Sequence, residues 1–120
     1  MEKLTDSEEK AMLAVWQADP GFIKDFLQRV PEPRPPYTTF ASTIRNLERK
    51  GFLKRERIGT VIRYGAIVKE AEYKKRFMKG VVNDFFKNSY KEVVSFFIRE
   101  KKVSAEELKE IIRLIEKSQK

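Results

Sequence analysis

The sequence predicts a mainly α-helical protein with one small β-hairpin, and two patterns in its 120 residues support that prediction. Apolar residues recur at helical spacing up to residue 50 and again from residue 69 onward. Between them lie two short runs rich in β-branched and aromatic residues, which are typical of strands. A third feature bears on function, because the net charge is +8 and the chain has neither cysteine nor histidine.

The first two helices are predicted by their ends. Thr5 and Glu8 have the spacing of a capping box, and Asp19-Pro20-Gly21 ends the helix that they open. A second, short helix follows, because apolar residues recur at helical spacing from Phe22 to Val30. Four prolines within residues 31–36 then exclude helix and predict a stiff loop, with a proline-rich partner ligand as the alternative.

The third helix is predicted to run from about Thr38 to Lys50. Phe40, Ile44 and Leu47 form its buried stripe, and Gly51 stands where a helix ends in a left-handed residue.

The remaining elements are a hairpin and three more helices. Residues 52–57 and 61–67 are predicted strands, joined by a turn at Ile58-Gly59-Thr60. From residue 69 the chain is helical, with an interruption at Asn88-Ser89 and a new start at the capping box of residues 104–107.

This order of elements predicts a winged helix-turn-helix DNA-binding domain over residues 1–69, followed by an α-helical dimerisation region over residues 70–120. Three helices in about fifty residues bury little surface on their own, so their wide apolar faces predict a second copy of the chain as partner. The residues predicted at that interface are Phe77, Val81, Phe85, Val94, Phe97, Leu108, Ile111, Ile112 and Ile115.

The charge is concentrated in one segment. Residues 37–69 hold eight basic and two acidic side chains, a net charge of +6, whereas residues 1–36 have a net charge of −2. This distribution favours nucleic acid as a partner over an anionic membrane surface, although basic residues also serve solubility alone.

Composition argues against several other classes of protein. The chain has no cysteine or histidine and therefore lacks thiolate ligands, the commonest metal ligand and the commonest general base. We expect no enzyme and no cofactor. No apolar run approaches the ~18 residues of a membrane span, and no signal peptide opens the sequence, which predicts a cytoplasmic protein without membrane insertion.

The third helix is the predicted reading head for DNA. On a wheel with Phe40 at 0°, Arg45, Thr38, Arg49 and Ser42 fall between about 140° and 200°, with Thr39 and Asn46 beside them. Arginine pairs with guanine and asparagine with adenine in the major groove, while Arg49 and Lys50 are placed for phosphates. An ordinary solvated helix face is the alternative, but threonine and serine are poor helix formers on such a surface.

The hairpin is the predicted wing. Lys54, Arg55, Arg57 and Arg63 flank its turn at Gly59-Thr60, where they could contact the DNA backbone. Charges that protect edge strands from aggregation are the competing explanation.

A set of short motifs, in fixed order and spacing, extends over essentially the whole chain. They are Leu4-Thr5-x-x-Glu8, Trp16, Tyr37-Thr38-Thr39, Leu47-x-x-Lys50-Gly51-Phe52, Gly59 with Tyr64, Phe86-x-x-Ser89, Val93-Val94-x-x-Phe97 and Val103-Ser104-x-Glu106-Glu107-Leu108. In these motifs the sequence resembles the BlaI/MecI/CopY family of winged-helix repressors, also called the penicillinase repressor family.

The resemblance implies a homodimeric repressor that binds an inverted repeat in double-stranded DNA. It assigns DNA reading to Tyr37, Thr38, Thr39, Ser42 and Thr43, and the wing to residues 59–64, which include Thr60. It also implies a membrane sensor peptidase that cleaves the repressor, with a candidate cleavage region at Phe96 and Phe97. The absence of cysteine argues against the copper-responsive branch.

Two functions compete with a sequence-specific repressor. The first is a winged-helix interaction or assembly module that lacks specific DNA recognition. The second is an enzyme, which the absence of a base beside any carboxylate pair disfavours.

Overall fold

The computed structural model describes residues 3–119, which form two compact units. The first unit ends at Lys74 and the second begins at Lys75, so the division falls inside the helix that follows the hairpin. The mainly helical architecture with a single two-stranded antiparallel hairpin confirms the predicted fold class for these residues.

The first unit contains three helices and the hairpin. Its elements are α1 (Asp6–Ala18), α2 (Ile23–Leu27), α3 (Tyr37–Arg49), β1 (Leu53–Ile58) and β2 (Val61–Ala66).

Local capping explains where α1 begins and where α3 ends. The Glu8 amide donates to Thr5 Oγ1 at 3.2 Å and the Thr5 amide donates to Glu8 Oε1 at 2.9 Å, which confirms the predicted capping box. At the end of α3, Gly51 has φ +85° and the Phe52 amide donates to the Leu47 carbonyl at 2.9 Å. This Schellman motif turns the chain directly into the hairpin.

The second helix is shorter than its apolar pattern predicts. α2 ends at Leu27, and residues 28–30 continue as tighter turns in which the Arg29 amide donates to Phe26 and the Val30 amide to Leu27. Because Val30 is still buried, its apolar character reflects the core and not the helix.

The hairpin turn contains two residues. Ile58, predicted in the turn, is instead the last residue of β1 and pairs with Val61. Gly59 has φ +62° and Thr60 does not have a positive φ, which is the pattern of a type II′ turn. Gly21 also forms an isolated bridge to Tyr64 through two hydrogen bonds of 2.8 and 2.9 Å. No local sequence pattern predicted this bridge.

The core of the first unit lies where α1, α2 and α3 meet the base of the hairpin. Its largest fully buried side chains are Phe26, Phe52, Met12, Ile44, Leu47, Leu53 and Val15. Trp16 Nε1 donates to the Val68 carbonyl at 3.0 Å and Tyr73 Oη donates to Glu9 at 2.8 Å. These bonds attach the segment after the hairpin to α1.

The second unit consists of helices with few buried side chains. It holds most of α4 (Glu70–Phe86), with α5 (Tyr90–Arg99) and α6 (Ala105–Ser118). Ser89 caps α5, and Ser104 with Glu107 forms the predicted capping box of α6. No residue of α5 or α6 is buried within the described chain, and Val82 is the buried residue of α4.

Candidate nucleic-acid interface

α3 has one buried face and one polar face. Phe40, Ala41, Ile44 and Leu47 are buried against the first unit. Six of the eight polar or aromatic residues predicted to read DNA on this helix are exposed and the other two are half-buried: Tyr37, Thr38, Thr39, Ser42, Arg45 and Arg49 in the first group, Thr43 and Asn46 in the second.

The amino end of α3 carries no negatively charged side chain. Pro36 is the N-cap and supplies no side-chain hydrogen bond, and the first turn contains no acidic residue. The positive end of the helix dipole therefore has no carboxylate partner in its own first turn. Further along, Arg45 Nη2 donates to Ser42 Oγ at 3.3 Å.

Lys50 has a structural role that the sequence prediction missed. Its Nζ lies 2.6 Å from Glu8 Oε1 and 3.2 Å from the Lys3 carbonyl, and only 16% of the side chain is exposed. Burial disfavours the charged form of Glu8, but the Lys50 ammonium and the Thr5 amide outweigh it and hold the pKa of this carboxyl below its ordinary value. The ammonium of Lys50 is thus bonded to partners within the first unit.

The strand register sorts the basic residues of the hairpin onto two faces. Arg55 is opposite Tyr64, and Arg57 is opposite Ile62, on the face whose base is buried in the core. Lys54 and Arg63 lie on the other face, because side chains alternate along a strand. The sequence prediction treated these four cations as one group.

Arg55 joins the hairpin to α3. Its Nε and Nη2 donate to the two carboxylate oxygens of Glu48 at 2.8 and 3.0 Å, and its guanidinium lies 5.9 Å from the centre of the Tyr64 ring. The hydrogen bond with Glu48 raises the pKa of Arg55. This bidentate pair fixes the orientation of the hairpin relative to α3.

The opposite face of the hairpin is a polar groove beside the loop after α1. Glu56 pairs with Arg63 Nη2 at 3.1 Å, and Asp19 lies 3.6 Å from Lys69 Nζ and accepts from the Ala66 amide at 2.8 Å. The cation Arg63 is therefore compensated on this side.

Four of the basic residues predicted to bind DNA have no carboxylate within 4.0 Å among residues 3–119. They are Arg45, Arg49, Lys54 and Arg57. Three of these cations lie on the polar face of α3 or on the hairpin face that contacts α3, and Lys54 lies on the far face. Uncompensated cations beside a hydroxyl-rich helix can bind a polyanion without first breaking internal ion pairs.

Comparison with known proteins places the chain in a family. The sequence model described as penicillinase repressor matches residues 4–117. The chain belongs to the penicillinase repressor family. Members of this family are DNA-binding transcriptional repressors and not a class of enzyme.

Individual penicillinase repressor relatives are distant in sequence. The methicillin resistance regulatory protein MecI of Mammaliicoccus sciuri is 21% identical over 116 residues, which cover 96% of this chain and 94% of that protein. MecI of Staphylococcus aureus strain N315 is 23% identical over 118 residues, with the same coverage. Among solved structures, a MarR family protein from Bacillus stearothermophilus has a TM-score of 0.48 and 17% sequence identity to this chain. The match covers 84% of this chain and 73% of that protein.

The second unit of this chain carries the residues predicted at a dimer interface. Seven of the nine are exposed in the single chain, up to 78% for Phe85, and Val81 and Leu108 are half-buried. Five further large apolar side chains of the same helices are also exposed: Met78, Tyr90, Phe96, Ile98 and Leu114, the last of which is 66% exposed.

The candidate cleavage region lies inside α5. The Phe96 ring packs at 5.7 Å from Phe86 and 5.4 Å from Phe97, and both residues of the region are 40% exposed. Proteolysis at this bond stays a prediction, and it requires α5 to unwind locally.

Two other kinds of feature are absent from residues 3–119. None of the described helices has the length and apolar character to cross a membrane. Residues 3–119 also contain no group of three or more acidic side chains that could hold a metal ion.

Proposed function

We propose that this protein is a homodimeric repressor that binds an inverted-repeat operator, with α3 in the major groove and the hairpin on the adjacent backbone. The observation that carries the proposal is the polar face of α3, where Arg45 and Arg49 are exposed and without carboxylate partners in the described chain.

Base reading is assigned to the middle and amino-terminal part of α3. In helix-turn-helix proteins the amino end of the second helix of the motif enters the groove deepest. Thr38, Ser42 and Arg45 lie on consecutive turns of the exposed face. Arginine can donate two hydrogen bonds to guanine, and threonine can contact the methyl group of thymine.

Backbone binding is assigned to the cations at the edges of this face. Arg49 lies in the last turn of α3, and Arg57 projects from the hairpin face that Arg55 attaches to α3. The uncapped amino end of α3 adds amide donors for a phosphate. Lys50 is left out of this set because its ammonium is bonded to Glu8.

Dimerisation is assigned to the second unit. Its exposed apolar side chains include Ile111, Ile112 and Ile115 on α6 and Phe97 on α5. Burying a large apolar side chain completely is worth about 1.5–3 kcal/mol, so a dozen half-exposed ones can offset an association cost of about 4–15 kcal/mol. A second copy supplies an identical apolar face and a second α3, which matches a two-fold symmetric operator.

Selection of bound duplexes from a random DNA pool tests the proposal. We expect an inverted repeat whose half-sites are centred about one helical turn, ~34 Å, or a multiple of it apart. The affinity for the selected site should fall linearly on a log–log plot against salt, with a slope near −0.9 per phosphate bound.

The test also separates the repressor from an interaction module. No enrichment over random DNA at physiological salt would refute the proposal. Replacing both Arg45 and Arg49 with alanine should abolish DNA binding, whereas a module that binds only proteins would be unaffected by the pair of substitutions.

A further inference from the structure

The first unit contains a cavity of about 590 Å³ between α1, the proline loop and α3. This volume lies within the range of small-molecule binding sites, about 300–1,000 Å³. Its wall is largely apolar and is formed by Leu13 and Ala14 of α1, Val30, Phe40 of α3, and prolines of the loop. Leu13 is 47% exposed, so an apolar side chain of α1 faces solvent at this point.

Two of the cations that line this cavity are Lys10 and Arg29. Neither has a carboxylate within 4.0 Å in the described part of the chain. The third cation of the lining, Arg34, is hydrogen-bonded to the backbone before the loop. Its Nε donates to the Val30 carbonyl at 2.8 Å and its Nη2 donates to the Gln28 carbonyl at 2.9 Å. Glu32, the one acidic residue of the lining, pairs with Arg34 at 3.1 Å. The cavity therefore combines an apolar wall with uncompensated positive charge.

The cavity also borders the DNA-reading helix. Thr39 and Thr43 of α3 contribute to its wall, and Thr39 belongs to the exposed polar face proposed to bind DNA. Thr43 Oγ1 donates to the Thr39 carbonyl at 3.2 Å, so the two residues form a single edge of the helix.

We propose that this cavity binds a small organic carboxylate with an aromatic or branched alkyl body, and that the bound ligand weakens DNA binding. The apolar wall covers the body, and Arg29 binds the carboxylate while Lys10 adds positive charge at the same cavity. A small inorganic anion would leave the apolar wall uncovered, and a neutral hydrocarbon would leave the cations without a partner. A negative charge beside α3 repels the phosphates of a DNA backbone bound there. This second half of the proposal rests on the proposed function, whereas the binding site does not.

The binding half is tested on the full-length protein without DNA, by titration of backbone amide NMR signals with 1-naphthoate. The neutral control is 1-naphthalenemethanol, which has nearly the same shape. We expect saturable shifts at Leu13, Val30 and Thr39 with the carboxylate and about tenfold weaker binding of the alcohol. Equal binding of the two compounds, shifts confined to the second unit, or no saturation would overturn the site.

Two variants locate the carboxylate. Arg29→Gln should weaken 1-naphthoate binding by about tenfold, whereas Lys24→Gln, an exposed residue of α2 outside the cavity, should leave it unchanged. Leu13→Glu places a negative charge in the wall at an exposed helix position and should abolish binding with the fold intact. Unchanged affinity in both cavity variants would overturn the assignment.

The coupling half is tested by fluorescence anisotropy with a selected DNA site. We expect saturating 1-naphthoate to raise the Kd for DNA at least threefold, and the alcohol to have no effect. An unchanged Kd for DNA would refute the coupling while the NMR result decides the site. A protein that binds no DNA at all would refute the proposed function instead, and the NMR titration would still be decisive for the cavity.

Discussion

The ion pair between Glu8 and Lys50 makes a sharp prediction, because it connects the first turn of α1 to the end of α3. Glu8 is only 5% exposed, and its Oε1 accepts from both Lys50 Nζ and the Thr5 amide. Glu8→Gln keeps an oxygen for the Thr5 amide but removes the negative charge. Lys50→Met keeps the length of the side chain but removes the positive charge.

Each single substitution should lower the free energy of unfolding by about 2 kcal/mol. Breaking a fully buried pair costs about 3–5 kcal/mol, and the value here is lower because Lys50 keeps 16% of its side chain exposed and can turn its ammonium toward water. The double variant, Glu8→Gln with Lys50→Met, leaves no unpaired charge. The double variant should therefore also lower the free energy of unfolding by about 2 kcal/mol, whereas additive single costs would lower it by ~4 kcal/mol. The difference is a coupling energy of about 2 kcal/mol between the two side chains.

Urea unfolding at pH 7 and one fixed protein concentration measures these differences. Each single variant should lower the midpoint by about 1 M with an unchanged slope, and Lys24→Met, at an exposed position, should change stability by less than about 0.5 kcal/mol. Additive costs in the double variant would refute the coupling. DNA affinity adds a second criterion: Lys50→Met should bind DNA within twofold of the native protein, and a large loss would restore Lys50 to the DNA interface.

The same pair predicts the response to acid. Because the folded protein lowers the pKa of Glu8 below 4.5, the stabilisation is fully present above pH 4.5 and is lost as the pH falls through the lower, folded value. Glu8→Gln should accordingly remove part of the acid dependence of the urea midpoint. An unchanged acid dependence would contradict this assignment.

Three further predictions concern other parts of the chain. Burial and the Glu9 carboxylate raise the pKa of Tyr73 from 10.0 to about 12. The contribution of Tyr73 to stability should therefore be lost as the pH rises from 10 to 12. Absorbance at 295 nm should show a late titration step that Tyr73→Phe removes. Gly21→Ala should cost about 2 kcal/mol in urea unfolding, because the new Cβ would lie 2.8 Å from a backbone carbonyl oxygen, whereas Gly80→Ala, with open space, should gain about 0.5–1 kcal/mol. Ile115→Glu should convert a dimer at micromolar concentration into a monomer in light scattering, and a native protein that is itself monomeric would refute the dimer.

Features encoded by neighbouring residues were predictable from the sequence. The capping boxes opened by Thr5 and Ser104 depend on side chains three residues apart, and both form as expected. Gly51 ends α3 with a positive φ for the same reason, because only a local backbone conformation is involved. The buried stripe of α3 follows from helical periodicity, and the structure buries it.

Features that depend on residues far apart in the chain were not predictable. Lys50 was expected at a phosphate, but its partner Glu8 is 42 positions away and carries no local signal. The separation of Arg57 from Lys54 onto two faces of the hairpin follows from the alternation of side chains along β1. Which of these faces is buried at its base depends on the packing of Leu53 and Tyr64 in the core, and that packing involves residues far apart in the chain.

The specificity ratio of two arginine variants tests the central claim most directly, that the exposed face of α3 reads DNA. The ratio compares the affinity for the selected operator with that for a scrambled duplex at several salt concentrations. We expect Arg45→Ala to lower this ratio by about tenfold or more, and Arg49→Ala to weaken both duplexes equally while reducing the salt slope by about one. An unchanged specificity ratio in Arg45→Ala, with full affinity for the operator, would contradict the assignment of base reading to this helix.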